Sequence, residues 1–116
     1  MALFAQSLSW SVTTGETHQI LMDMRAIVLN LAWSQHHESA LEAYELTQLE
    51  ERRTGRSSTA AVWVGWLAEA TAAARTNLSA ETVAAACARA ANLDVAQRAR
   101  RVIELAEAAV ASSHAR

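Results

Sequence analysis

His36-His37-Glu38, followed by Glu42 and Glu45, is the stretch of this chain whose side chain types read as metal ligands. On a helix, Glu38, Glu42 and Glu45 share one face at i, i+4 and i+7, and His18 or Asp23 could contribute from elsewhere. A di-metal carboxylate bundle needs inward-facing ligands on several helices, typically as Glu-x-x-His pairs. No Glu-x-x-His occurs, so the spacing favours a solvated acidic helix surface, and no metal or cofactor is expected.

Two groups of arginines suggest a different chemistry, the binding of anions. Arg52-Arg53-Thr54-Gly55-Arg56-Ser57-Ser58 brings Arg52, Arg53 and Arg56 to the start of an expected helix. Free N–H groups and the helix dipole favour phosphate there. The plainer reading pairs these arginines with Glu50 and Glu51. Further along, Ala88, Asn92, Leu93 and Asp94 stand where a helix-turn-helix wants a small residue, a turn, a hydrophobe and an N-cap. The helix after them would present Gln97, Arg98 and Arg101 to a DNA groove. Against that, Arg98 takes a position usually held by a packed aliphatic, and Leu105 on the Arg98–Arg101 side implies at least partial protein contact.

Covalent catalysis finds no support. The chain lacks a glycine-rich phosphate loop, a nucleophile elbow and a clustered Ser/His/Asp signature. Cys87 lies in TVAAACARA, where nothing nearby in sequence would depress a thiol pKa, so it reads as a small buried side chain. The chain is expected not to be an enzyme.

These residues need a scaffold, and composition limits what it can be. A chain of 116 residues supports one domain around one core, so residues 1–116 are read as a single helical domain. No proline and three glycines leave little punctuation, and alanine crowds the second half, favouring helix. The net charge of −2 argues against general polyanion binding. Every basic residue is arginine, which reads as the codon usage of a high-GC, bacterial genome. A single cysteine excludes an intrachain disulfide and suits a reducing, cytoplasmic setting. The start lacks a signal-peptide pattern, and no apolar run reaches membrane-spanning length, so no membrane association is expected.

The expected fold is all-α, a bundle of about four helices. Leu8-Ser9-Trp10-Ser11-Val12 alternates apolar and polar, which predicts that residues 1–14 form a short extended arm. Thr13, Thr14 and Gly15 then open a long first helix from Glu16 to about Arg53, largely buried because Ile20–Trp33 is apolar almost all round. Ser34–Glu38 interrupts its pattern and could kink or break it. A second helix runs from about Thr59 to Arg75, capped by Ser57 or Ser58. A third runs from Ser79 to Ala91 and ends on a left-handed Asn92. A last helix, capped by Asp94, runs from Val95 to about Ser112.

Trp63-Val64-Gly65 resembles the Trp-x-Gly signature of small secreted helical hairpins of the WXG100 type, over those three residues alone. The resemblance implies a hairpin with these residues in its turn. Helical spacing instead places Val62, Trp63, Trp66, Leu67, Ala70 and Ala74 on one core-facing stripe. Gly65, Ala68 and Ala72 then form a second, smooth face suited to close packing. The expected function is a non-enzymatic helical assembly or interaction protein, acting on itself as a homo-oligomer (a dimer) or on another protein. Ile20, Met24, Ile27, Leu31, Gly65, Ala68 and Ala72 are the expected interface. The rival is a small dimeric DNA-binding regulator using residues 79–112 with Arg52, Arg53, Arg56, Gln97, Arg98 and Arg101.

Overall fold

The computed structural model describes residues 1–56 and 61–114. Among them there are six helices and no strand: α1 (Ala2–Thr14), α2 (Thr17–Trp33), α3 (His37–Thr54), α4 (Ala61–Thr76), α5 (Ala80–Asn92) and α6 (Val95–His114). The all-α class stands. The count of about four does not, because two segments read as something else are helices.

The first correction is the N-terminal arm. Residues 2–14 are helix, because Ala5, Leu8 and Val12 recur at three- and four-residue spacing and turn together onto the core. The alternation at 8–12 is weaker than that longer pattern, since it leaves Trp10 in solvent and buries Ser11. The chain leaves α1 through Gly15 at φ 74°, a left-handed turn in which Gly15 N–H donates to Ser11 C=O at 2.8 Å.

The second correction is the long first helix. Residues 16–53 form two helices that fold back on each other, so that Arg25 on α2 reaches Glu51 on α3. The break is at Gln35, whose φ is 64°. His36 N–H donates to Leu31 C=O at 2.9 Å and Gln35 N–H to Ala32 C=O at 3.0 Å. That is the Schellman pattern, with glutamine in the left-handed position glycine usually holds. Gly55, at φ 68°, ends α3 in a related way, with Arg56 N–H donating to Glu51 C=O at 3.0 Å.

α2 is the central element and packs against α1, α3, α4 and α6. Its near-continuous apolar run follows from that position. Met24, Ile27, Val28 and Leu31 are fully buried within the one chain, with Leu8, Leu46, Val102 and Ala106 among the residues that complete the core. α5 lies outside this arrangement, with α3 as its one extensive neighbour.

The remaining boundaries follow local chemistry. Ser79 caps α5 by accepting from Thr82 N–H at 3.1 Å. Asp94 and Gln97 cap α6 reciprocally, each side chain accepting a hydrogen bond from the other's backbone N–H. Asn92 does not adopt the left-handed conformation; the chain leaves α5 through extended Leu93. Trp63-Val64-Gly65 sits within α4, and so outside any hairpin turn. The proposed caps Ser57 and Ser58, and Thr59 at the expected helix start, lie outside the described residues. No described helix is long and apolar enough to cross a membrane.

Candidate functional site

The two candidate sites read from sequence, the acids of α3 and the arginines of α6, meet each other. Glu38, Glu42 and Glu45 do share a face of α3, at the spacing expected, and that face points at arginines. Glu42 accepts from Arg101 Nε on α6 at 2.5 Å and from Arg89 Nε on α5 at 2.6 Å. Arg89 reaches on to Glu38 at 2.7 Å, and Arg101 to Glu104 at 3.3 Å. Glu45 pairs with Arg75 of α4 at 3.4 Å. One turn further, Glu50 accepts from Arg98 at 3.1 Å and from Arg53 at 2.8 Å.

Glu42 is the centre of this network, with its side chain 1% exposed. Burial on its own raises the pKa of a carboxyl. Here the hydrogen bonds and charges of Arg101 and Arg89 outweigh burial and hold it below the ordinary 4.5. The same contacts hold the Arg89 and Arg101 guanidinium pKa values above their usual range. The carboxylate is therefore ionised and already doubly engaged. Among the described residues, no three His, Cys, Asp or Glu side chains are grouped to hold a metal ion. His36 stands at the N-cap of α3, His37 is half-buried with Nδ1 unpartnered, and His18 is exposed. Asp23 is buried against Ser7 and Gln19, which donate to it at 2.7 and 3.0 Å.

Arg98 and Arg101 lie against α3, and Gln97 is committed to the Asp94 cap. Of the loop arginines, Arg53 is paired with Glu50, while Arg52 and Arg56 are exposed. Arg25, unassigned by sequence reasoning, is 5% exposed and donates to Glu51 at 2.9 Å. Arg89 was also missed. Its signal was faint, a single cation on an otherwise small-residue helix, and no local spacing names its partners 47 and 51 residues away.

The expected interface residues separate into two groups. Met24, Ile27 and Leu31 are fully buried, and Ile20 is half-buried against the core, so the chain itself covers what sequence offered to a second copy. Gly65, Ala68 and Ala72 are exposed, and a Cβ built at Gly65 meets nothing within 4 Å. Among the described residues, α4 thus packs on one side only, through Leu67, Ala70, Thr71 and Ala74.

The buried stripe of α4 is rotated slightly from the expected one: Trp63 packs against the core as expected, while the assignment of Trp66 and Val62 to the core is corrected. Trp63 is half-buried, while Trp66 is 45% exposed and Val62 lies in solvent. Trp66 meets Trp63 edge-on at 6.0 Å and Trp33, from the end of α2, at 6.3 Å. Trp33 is 64% exposed. Three of the four tryptophans therefore make one cluster, with Trp33 and Trp66 at the surface and Trp63 reaching the core, and Val62, Val64 and Gly65 are also exposed on α4. Comparison of the chain with protein-family models, with curated proteins and with solved structures found no match.

Proposed function

We propose that this chain is a non-enzymatic helical assembly protein that pairs with a second copy of itself. The pairing surface is the Trp33–Trp66 cluster and the outer face of α4. One observation carries the reading: two tryptophans in edge-to-face contact remain 64% and 45% in solvent, beside a helix face with no covering element among the described residues. Large aromatics dominate interface energetics, and contiguous exposed apolar patches mark interaction sites. A two-fold pairing would bring the same patch from each copy together, and the small side chains of Gly65, Ala68 and Ala72 would let two α4 helices approach closely.

The arginine geometry supports this reading over the DNA-binding alternative. Base-reading by Arg98 and Arg101 would require them to leave Glu50 and Glu42, stranding buried carboxylates. Sedimentation at micromolar concentration is expected to give a mass above the 12.5 kDa of one chain, falling to that value in Trp33→Ser/Trp66→Ser. A clean monomer throughout a dilution series rejects the proposal. Tight binding of random duplex DNA with a steep salt slope, reduced by Arg52→Ala or Arg56→Ala, would put the regulator first.

A further inference from the structure

We infer that α5 is a detachable lid on the acidic face of α3, opening and melting as one unit while the rest of the bundle stays folded. Little apolar surface holds it in place. Its one extensive neighbour is α3. Of its 13 residues only Ala86 and Ala90 are buried, with Thr82, Val83 and Cys87 half-buried. By contrast, α6 buries Val102, Leu105, Ala106 and Ala109, and α2 buries Met24, Ile27, Val28 and Leu31. Hydrophobic stabilisation scales with the apolar area removed from water, so a helix docked mostly through methyl groups is weakly docked.

The charges let α5 leave. Arg89 Nε donates to buried Glu42 at 2.6 Å, and another Arg89 nitrogen donates to Glu38 at 2.7 Å. Taking away the sole partner of a buried carboxylate would strand its charge. Glu42, however, keeps Arg101 of α6 when Arg89 departs. Arg89 and Glu38 are themselves partly in water before the opening. The connections then decide what form the opening takes. Residues 77–79 join α5 to α4, and Leu93 and Asp94 join it to α6. Links this short at both ends prevent a rigid helix from swinging clear. A helix of 13 residues without a packing partner is also marginal in water. Undocking therefore melts α5, and the melted residues supply the slack. The α3 face carrying Glu38, Glu42 and Glu45 then loses its cover, and Cys87 leaves its place beside Glu45. The opening uses neither Trp33 nor Trp66, so it is independent of the self-pairing reading.

The test is amide hydrogen exchange of the whole chain, followed by NMR at urea concentrations below the unfolding transition. Amides from Val83 to Ala91 should share one opening constant, roughly tenfold or more above that of α2 and α6 amides. Their exchange should respond less to urea, because opening exposes less surface than global unfolding. Arg89→Met should speed α5 exchange roughly ten- to a hundredfold, since its charged hydrogen bonds are lost on opening. Arg98→Met removes a contact between α6 and α3 that survives the opening. It should speed exchange in α2 and leave α5 at the parent's rate. Four results would each overturn the inference: an opening constant and urea response common to α5 and α2; α5 amides that open independently of one another; an unchanged α5 in Arg89→Met; or α5 and α2 accelerated alike by Arg98→Met.

Discussion

Arg101 Nε donates to Glu42 Oε2 at 2.5 Å, joining the residue that sequence offered to a metal with the residue it offered to a DNA base. Each looked available only while the other was out of view. Together with Arg89 the pair ties three helices at one buried carboxylate, with α5 and α6 both fastened to α3.

Removing the negative charge should loosen that junction. Glu42→Gln leaves two guanidinium groups without their carboxylate, and breaking a fully buried pair costs roughly 3–5 kcal/mol. Arg89 and Arg101 keep substantial contact with water, 42% and 34% exposed, so solvation recovers part of the loss. Chemical denaturation should show destabilisation of about 1–3 kcal/mol. Glu104→Gln, on an exposed partner of Arg101, should stay within roughly 0.5 kcal/mol.

The same carboxylate makes a pH-dependent contribution of known sign. Its folded pKa lies below the ordinary 4.5, so the folded state holds the proton less tightly than the unfolded state. The stabilisation is complete above 4.5 and is lost as pH falls below it towards the folded value. The stability difference between the parent and Glu42→Gln should therefore stay level from neutral pH down to about 4.5 and shrink in more acid solution. A difference that widens on acidification would contradict the assignment.

Gly65 should be a site of gain. Its outward face is open and its backbone is helical, so Gly65→Ala adds helix propensity without a clash. In dilute solution, where pairing is absent, the substitution should stabilise by about 0.5–1 kcal/mol. A lowered melting temperature there would mean that something covers this face within a single chain.

Cys87 should react slowly. Burial raises its thiol pKa and the charge of Glu45 raises it further, with Arg75 opposing. At pH 8 the thiolate fraction is then smaller than in free cysteine, and alkylation by iodoacetamide should lag correspondingly. Glu45→Gln should speed it. A rate faster than free cysteine at that pH would refute this environment for the thiol.

Much of the helical order was legible along the chain because it rests on local chemistry. Ser79 and Asp94 cap the helices they were expected to cap, and the apolar face of α6 at Val102, Ala106 and Ala109 is buried at helical spacing. The interruption at Ser34–Glu38 was visible. Its depth was not, because glutamine carries no signal for the left-handed turn it makes. Residues 8–12 misled for a related reason: five positions fit a period of two, and only Ala5 and Met1 upstream reveal the helical one.

The functional surfaces divide along the same line. Local sequence determined which residues are helical, where several helices begin, and that Glu38, Glu42 and Glu45 share a face. Tertiary packing decided what each face meets. Whether Met24 and Ile27 need a second copy depends on how many helices of the same chain surround α2. Whether Arg98 and Arg101 are free depends on α3 lying beneath them. Trp33 and Trp66 become one cluster only when the end of α2 is brought against α4. Periodicity is carried by the backbone within a few residues, whereas burial and charge pairing are set by partners tens of residues away, and no spacing along the chain encodes that distance.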